Sequence, residues 1–171
     1  LDSLVGLFAV GIQPTGAADP WGLRRIALGM IQILLEKEIS MPLPEALSQT
    51  AELMPVAVGS QVLSDVLDFV ERRLEGYLRD TGYRYDAINA VLAERGYDPF
   101  LAYQTLQELS PWLKRDDWDV ILDSYARCVR ITRDIETRYA VNTERFSDPE
   151  TRELYEQYCE VAPKVRENAT A

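Results

Sequence analysis

Apolar residues recur at steps of three and four along most of this chain, the period of helices that each bury one face. The clearest stripe is Leu63, Val66, Leu67, Val70, Leu74, Tyr77 and Leu78. It predicts one long helix, capped at Ser60 and ending near Gly82. Upstream, Leu4, Val5, Leu7, Phe8, Ala9 and Val10 predict a helix over roughly residues 1–11 that stops at Gly11. Asp19-Pro20 reads as an N-cap followed by the first helical position. The helix it opens runs to about Lys37, with Leu23, Ile26, Ala27, Met30, Ile31, Leu34 and Leu35 on its apolar face. Pro42 and Pro44 then break the chain, and Pro44 can start a short helix through Leu47, Ala51, Leu53 and Met54.

Beyond Gly82, Ile88, Val91 and Leu92 mark a shorter helix that stops at Gly96. Asp98-Pro99 opens another, through Leu101, Leu106 and Leu109 to Pro111. After Asp116 a long helix carries Trp118, Ile121, Leu122, Tyr125, Val129 and Thr132 on one side, and Asp148-Pro149 starts a last one with Leu154, Tyr155 and Tyr158 inward. No alternating run is long enough for a strand. The pattern predicts an all-α fold, an irregular or orthogonal bundle of seven to eight helices. The uncharged, Pro-containing stretch between Met54 and Ser60 is the best boundary, dividing residues 1–57 from the more densely charged 58–171.

The first residues change the picture. Leu1 opens straight into an apolar helix, with no initiator Met and no basic segment of the kind a signal peptide needs. The chain reads as a fragment cut within a helix. Part of the apolar face at Leu4, Leu7 and Phe8 is then expected to be exposed or covered by a neighbouring copy.

Composition narrows the function. The formal net charge is −10. A free-standing nucleic-acid binder is usually basic, because phosphate contacts supply most non-specific affinity. An acidic total lowers that expectation without excluding a local basic strip. There is no histidine, which removes histidine acid–base chemistry, Ser-His-Asp triads and His-containing metal sites together. Cys128 and Cys159 lack Cys-x-x-Cys spacing and suggest no disulfide framework, as in a reducing cytosol. Cys128 reads as a small core or boundary residue, despite arginine neighbours that could lower its pKa. No apolar run approaches the roughly 20 residues that span a bilayer, so no membrane partner is expected.

Four groups of residues invite a chemical reading. Arg127, Arg130 and Arg133 step by three, with Arg138 following, and form the one plausible basic strip for an RNA backbone. Asp123 lies four residues before Arg127 and Asp134 four after Arg130, so the same pattern also fits solvent-face ion pairs. Arg24 and Arg25 could meet RNA phosphate, a partner subunit or a neighbouring domain. Adjacent helical residues point about 100° apart, so at most one of them faces a given partner. Asp116, Asp117 and Asp119 fit helix capping better than a cation site, since the Gly and terminal Glu of a calcium loop are missing. Tyr83-x-Tyr85 sits in a connection where both rings could be exposed for stacking. No catalytic, cofactor-binding or metal-ligating residue is expected in the chain.

One block of sequence is more specific. Leu1-Asp2-Ser3-Leu4-Val5-Gly6, followed by Pro14-Thr15-Gly16-x-x-Asp19-Pro20-x-x-Leu23-Arg24-Arg25-x-Ala27-Leu28-Gly29, resembles a block in the β subunit of bacterial glycyl-tRNA synthetase. More loosely, Phe69-Val70-x-Arg72-Arg73-Leu74 and Asp86-Ala87-Ile88-x-Ala90-Val91-Leu92-Ala93 look like the start of that family's DALR-type anticodon-binding region. Ala126 and Arg130 depart from the Lys-Arg and Asn-Ile that the family tends to have near there. The resemblance implies the C-terminal part of an HD-type helical domain and its connecting helices over residues 1–57. Over 58–171 it implies an incomplete DALR-type region. It also implies the function, a segment of glycine–tRNA ligase that contributes to tRNA recognition and subunit scaffolding. The implied partners are the α subunit and glycine-accepting tRNA, in the cytoplasm. ATP, glycine and magnesium are implied at the α subunit, with none bound by this chain. The alternative is a structural helical linker that does not touch RNA.

Overall fold

The computed structural model describes residues 1–137 and 139–169, with side chains described through Lys164. Among them are eight α-helices and no strand. They are α1 (Asp2–Ala9), α2 (Leu23–Glu36), α3 (Leu43–Glu52), α4 (Ser60–Asp80), α5 (Tyr85–Arg95), α6 (Pro99–Trp112), α7 (Trp118–Thr132) and α8 (Pro149–Ala169). The all-α expectation and the helix count both hold. Two compact units result, Leu1–Ile121 and Leu122–Ala171.

The first unit is built around α4, which packs against each of α1, α2, α3, α5 and α6. Its stripe Val66, Val70, Leu74 and Leu78 is fully buried. The 4-4-4 spacing keeps these side chains on one face for roughly three turns, so one helix can serve as the floor for five neighbours. Leu63, Leu67 and Tyr77 flank that face and are partly buried. Leu23, Ala27, Ile31 and Leu35 of α2, with Ile88 and Val91 of α5 and Ala102 and Leu106 of α6, complete the core. The link between α3 and α4, where sequence placed a boundary, lies inside this unit.

Several sequence expectations need correction. Leu4, Val5 and Phe8 of α1 are buried within the one chain, and only Leu7 is partly exposed. Phe8 stacks at a tilt on Phe69 of α4, with centroids 5.4 Å apart. The first helix is therefore core, not an open face. Asp19 does cap α2, but not as its N-cap residue. Gly22, at φ 66°, holds that position, while the Asp19 carboxylate reaches forward to accept from the Leu23 and Arg24 amides at 2.8 and 3.0 Å. Pro20 lies in the turn before the helix. Ser60 is the first residue of α4, and it makes no side-chain cap.

Three helices share one ending. The turn after α4 places Gly82 at φ 93°, with Gly82 N–H on the Arg79 carbonyl and Tyr83 N–H on the Leu78 carbonyl. This is a Schellman motif, whose left-handed residue is usually glycine. Gly11 does the same after α1. After α2 the left-handed residue is Glu38, at φ 55°, with its N–H on the Leu35 carbonyl and Ile39 N–H on the Leu34 carbonyl. Sequence gave no stop signal at that point, because the chain uses a residue that disfavours the conformation.

In the second unit the inward placement of Leu154 and Tyr158 on α8 is not what is found. Leu154 is 69% exposed and Tyr158 is also exposed. Tyr155 is partly buried, stacked edge-on against Phe146 and alongside Tyr158. Cys128 and Cys159 are both exposed, so Cys128 is not a core residue. Along α7 no residue is buried.

Candidate nucleic-acid interface

α7 starts where Trp118 N–H bonds the Arg115 carbonyl and Ile121 N–H the Asp117 carbonyl. Of the expected capping acids, Asp119 lies in the first turn of α7. The Asp117 carboxylate takes a bidentate contact from Arg115, at 2.7 and 2.6 Å, instead of capping. This hydrogen bond, with the Arg115 charge and against the raising effect of burial, holds the Asp117 carboxyl below its usual range. Among the described residues no group of three or more His, Cys, Asp or Glu could hold a metal ion.

The three arginines of the strip stand on exposed positions of α7 and just past its end. Arg127 closes on Asp123 at 2.6 Å, and Arg130 approaches the other oxygen of the same carboxylate at 3.9 Å. Arg130 Nε also donates to the Ala126 carbonyl at 3.3 Å. Arg133 makes no ion pair or hydrogen bond among the described residues. Arg138 lies outside the described residues. Two guanidiniums therefore share one carboxylate, in exposed ion pairs of the weak surface kind. The spacing to Asp134 does not become a second pair with Arg130.

Arg24 and Arg25 separate as helix geometry requires. Arg24 turns back to the loop before α2, where its guanidinium donates to the Gly16 carbonyl at 2.6 Å. Arg25 points elsewhere and lines an apolar groove of about 590 Å³ along the outer face of α2, with Ile26, Gly29, Met30, Ile33 and Met41. Sequence had put Ile26 and Met30 on the buried face of α2. Ile26 is 38% exposed, however, and Ile33, left out of that face, is 59% exposed. The signal was present in the four- and three-residue steps of Ile26, Met30 and Ile33, a second apolar stripe beside the buried one.

The Tyr83-x-Tyr85 pair splits. Tyr85 is exposed, while Tyr83 packs edge-on against Tyr103 with centroids 6.2 Å apart. Burial, then Tyr103, raises the Tyr83 phenol above its ordinary value. A polar groove of about 410 Å³ lies between α4 and α5, lined by Asp68, Glu71, Arg72, Glu75 and Asn89. There burial and the neighbouring Asp68 push the Glu71 carboxyl up.

Comparison with known proteins gives a consistent result. The family described as glycyl-tRNA synthetase beta subunit matches residues 1–93. Glycine–tRNA ligase, chloroplastic/mitochondrial 2, of Arabidopsis thaliana is 38% identical over 167 residues, covering 96% of this chain and 16% of that protein. The glycine–tRNA ligase beta subunit of Clostridioides difficile is 32% identical over 171 residues, covering 98% of this chain and 24% of its own length. That of Acidithiobacillus ferrooxidans is 39% identical over 113 residues, 64% of this chain and 16% of that protein. The chain thus spans about a quarter, or less, of the length of these relatives.

Proposed function

The chain belongs to the glycyl-tRNA synthetase beta-subunit family, and from that membership we propose that it is a helical segment of a glycine–tRNA ligase that helps to hold tRNA and to join subunits. Its relatives carry the name of that ligase. In this reading residues 1–57 end an HD-type domain and residues 58–171 begin a DALR-type region. ATP, glycine and magnesium belong to the α subunit, and the assembly works in the cytoplasm. The charging chemistry is then not performed by residues of this chain.

One observation carries the RNA part of the reading. Arg127, Arg130 and Arg133 are exposed on and just past the end of α7, and one carboxylate, Asp123, pairs with the first two. An arginine held by an exposed carboxylate gives up little when phosphate replaces it, because surface pairs are worth about 0.2–1 kcal/mol. Such contacts would position tRNA without reading its bases. The structural-linker alternative rests on the same residues, since Arg127 already closes on Asp123 at 2.6 Å. Replacing all three arginines by Gln in the intact α–β enzyme, then titrating tRNA at several salt concentrations, separates the two. Backbone contact predicts weaker binding of all tRNAs alike and a salt slope reduced by up to about one unit per lost contact. An unchanged slope and affinity would leave the strip a solvated face and favour the linker.

A further inference from the structure

We draw no further inference here: the strongest candidate, the groove between α4 and α5 lined by Asp68, Glu71 and Glu75, is a cluster of acidic residues, and no second observation in the structure points to what it would bind.

Discussion

The Ser40 hydroxyl donates a 2.6 Å hydrogen bond to the Asp98 carboxylate across 58 residues of sequence. Asp98 is 1% exposed, and its other oxygen caps α6 by accepting from Leu101 N–H at 3.1 Å. The backbone joins the same segments, Leu43 N–H bonding the Tyr97 carbonyl at 2.8 Å. One buried carboxylate thus both starts a helix and fastens the α2–α3 connection to the α5–α6 corner. Ser40→Ala should cost about 1–3 kcal/mol, because it leaves one oxygen of a buried acceptor unmatched. Urea unfolding measures it, and a loss within error would mean that water replaces the hydroxyl.

The two units should respond unequally to truncation of large side chains. Leu74 and Phe8 lie in the core of the first unit, so Leu74→Ala should cost about 2–5 kcal/mol and Phe8→Ala about 3–5 kcal/mol. Tyr125 on α7 is 66% exposed, so Tyr125→Ser should change stability by less than about 0.5 kcal/mol. Denaturant midpoints of the three variants test this contrast directly.

Glu38 holds a left-handed conformation that glycine holds in the matching positions after α1 and α4. Glu38→Gly should stabilise the chain by roughly 0.5–1 kcal/mol. The relief of a side chain in that region is partly offset by the greater freedom of glycine in the unfolded chain. A rise in melting temperature is the expected readout.

Acid should weaken the start of α2. Partial burial alone would raise the Asp19 carboxyl. The amide hydrogen bonds from Arg24 and Leu23, with the charges of Arg24 and Arg25, outweigh it and hold the group below its ordinary value. A depressed carboxylate adds stability that is fully present above the unfolded value near 3.9 and lost as pH falls through the folded one. Asp19→Asn should therefore melt earlier than the unaltered chain at neutral pH, and the gap should close below about pH 4. A gap that persists unchanged into stronger acid would mean that the carboxylate charge is not what stabilises the cap.

Asp123 is the one carboxylate that Arg127 and Arg130 share. Asp123→Asn should release both and, if the strip meets phosphate, raise tRNA affinity of the intact enzyme by roughly twofold to fivefold. Affinity that stays level or falls would speak for the linker.

The sequence by itself determined the elements. Period-3.6 stripes, Pro near helix starts and Gly at the ends depend on neighbours within about four residues, and such local rules survive without knowing the fold. They placed α4, α5 and α6 closely and excluded strands. The family block at residues 1–29 was legible for a similar reason, since it is a run of fixed residues in fixed order. Tertiary structure decided which apolar stripes are buried. α1 is covered because α4 passes beneath it, and the second stripe of α2 and the faces of α7 and α8 are apolar by the same pattern yet open. Amphipathicity states that a helix has a side to bury, but only packing supplies the neighbour that buries it. The same limit applied to the charges. Spacing offered Arg130 both Asp123 and Asp134, and Arg25 a role equal to that of Arg24. Side-chain direction in the folded chain gave Arg130 to Asp123, Arg24 to the Gly16 carbonyl, and Arg25 to an open groove.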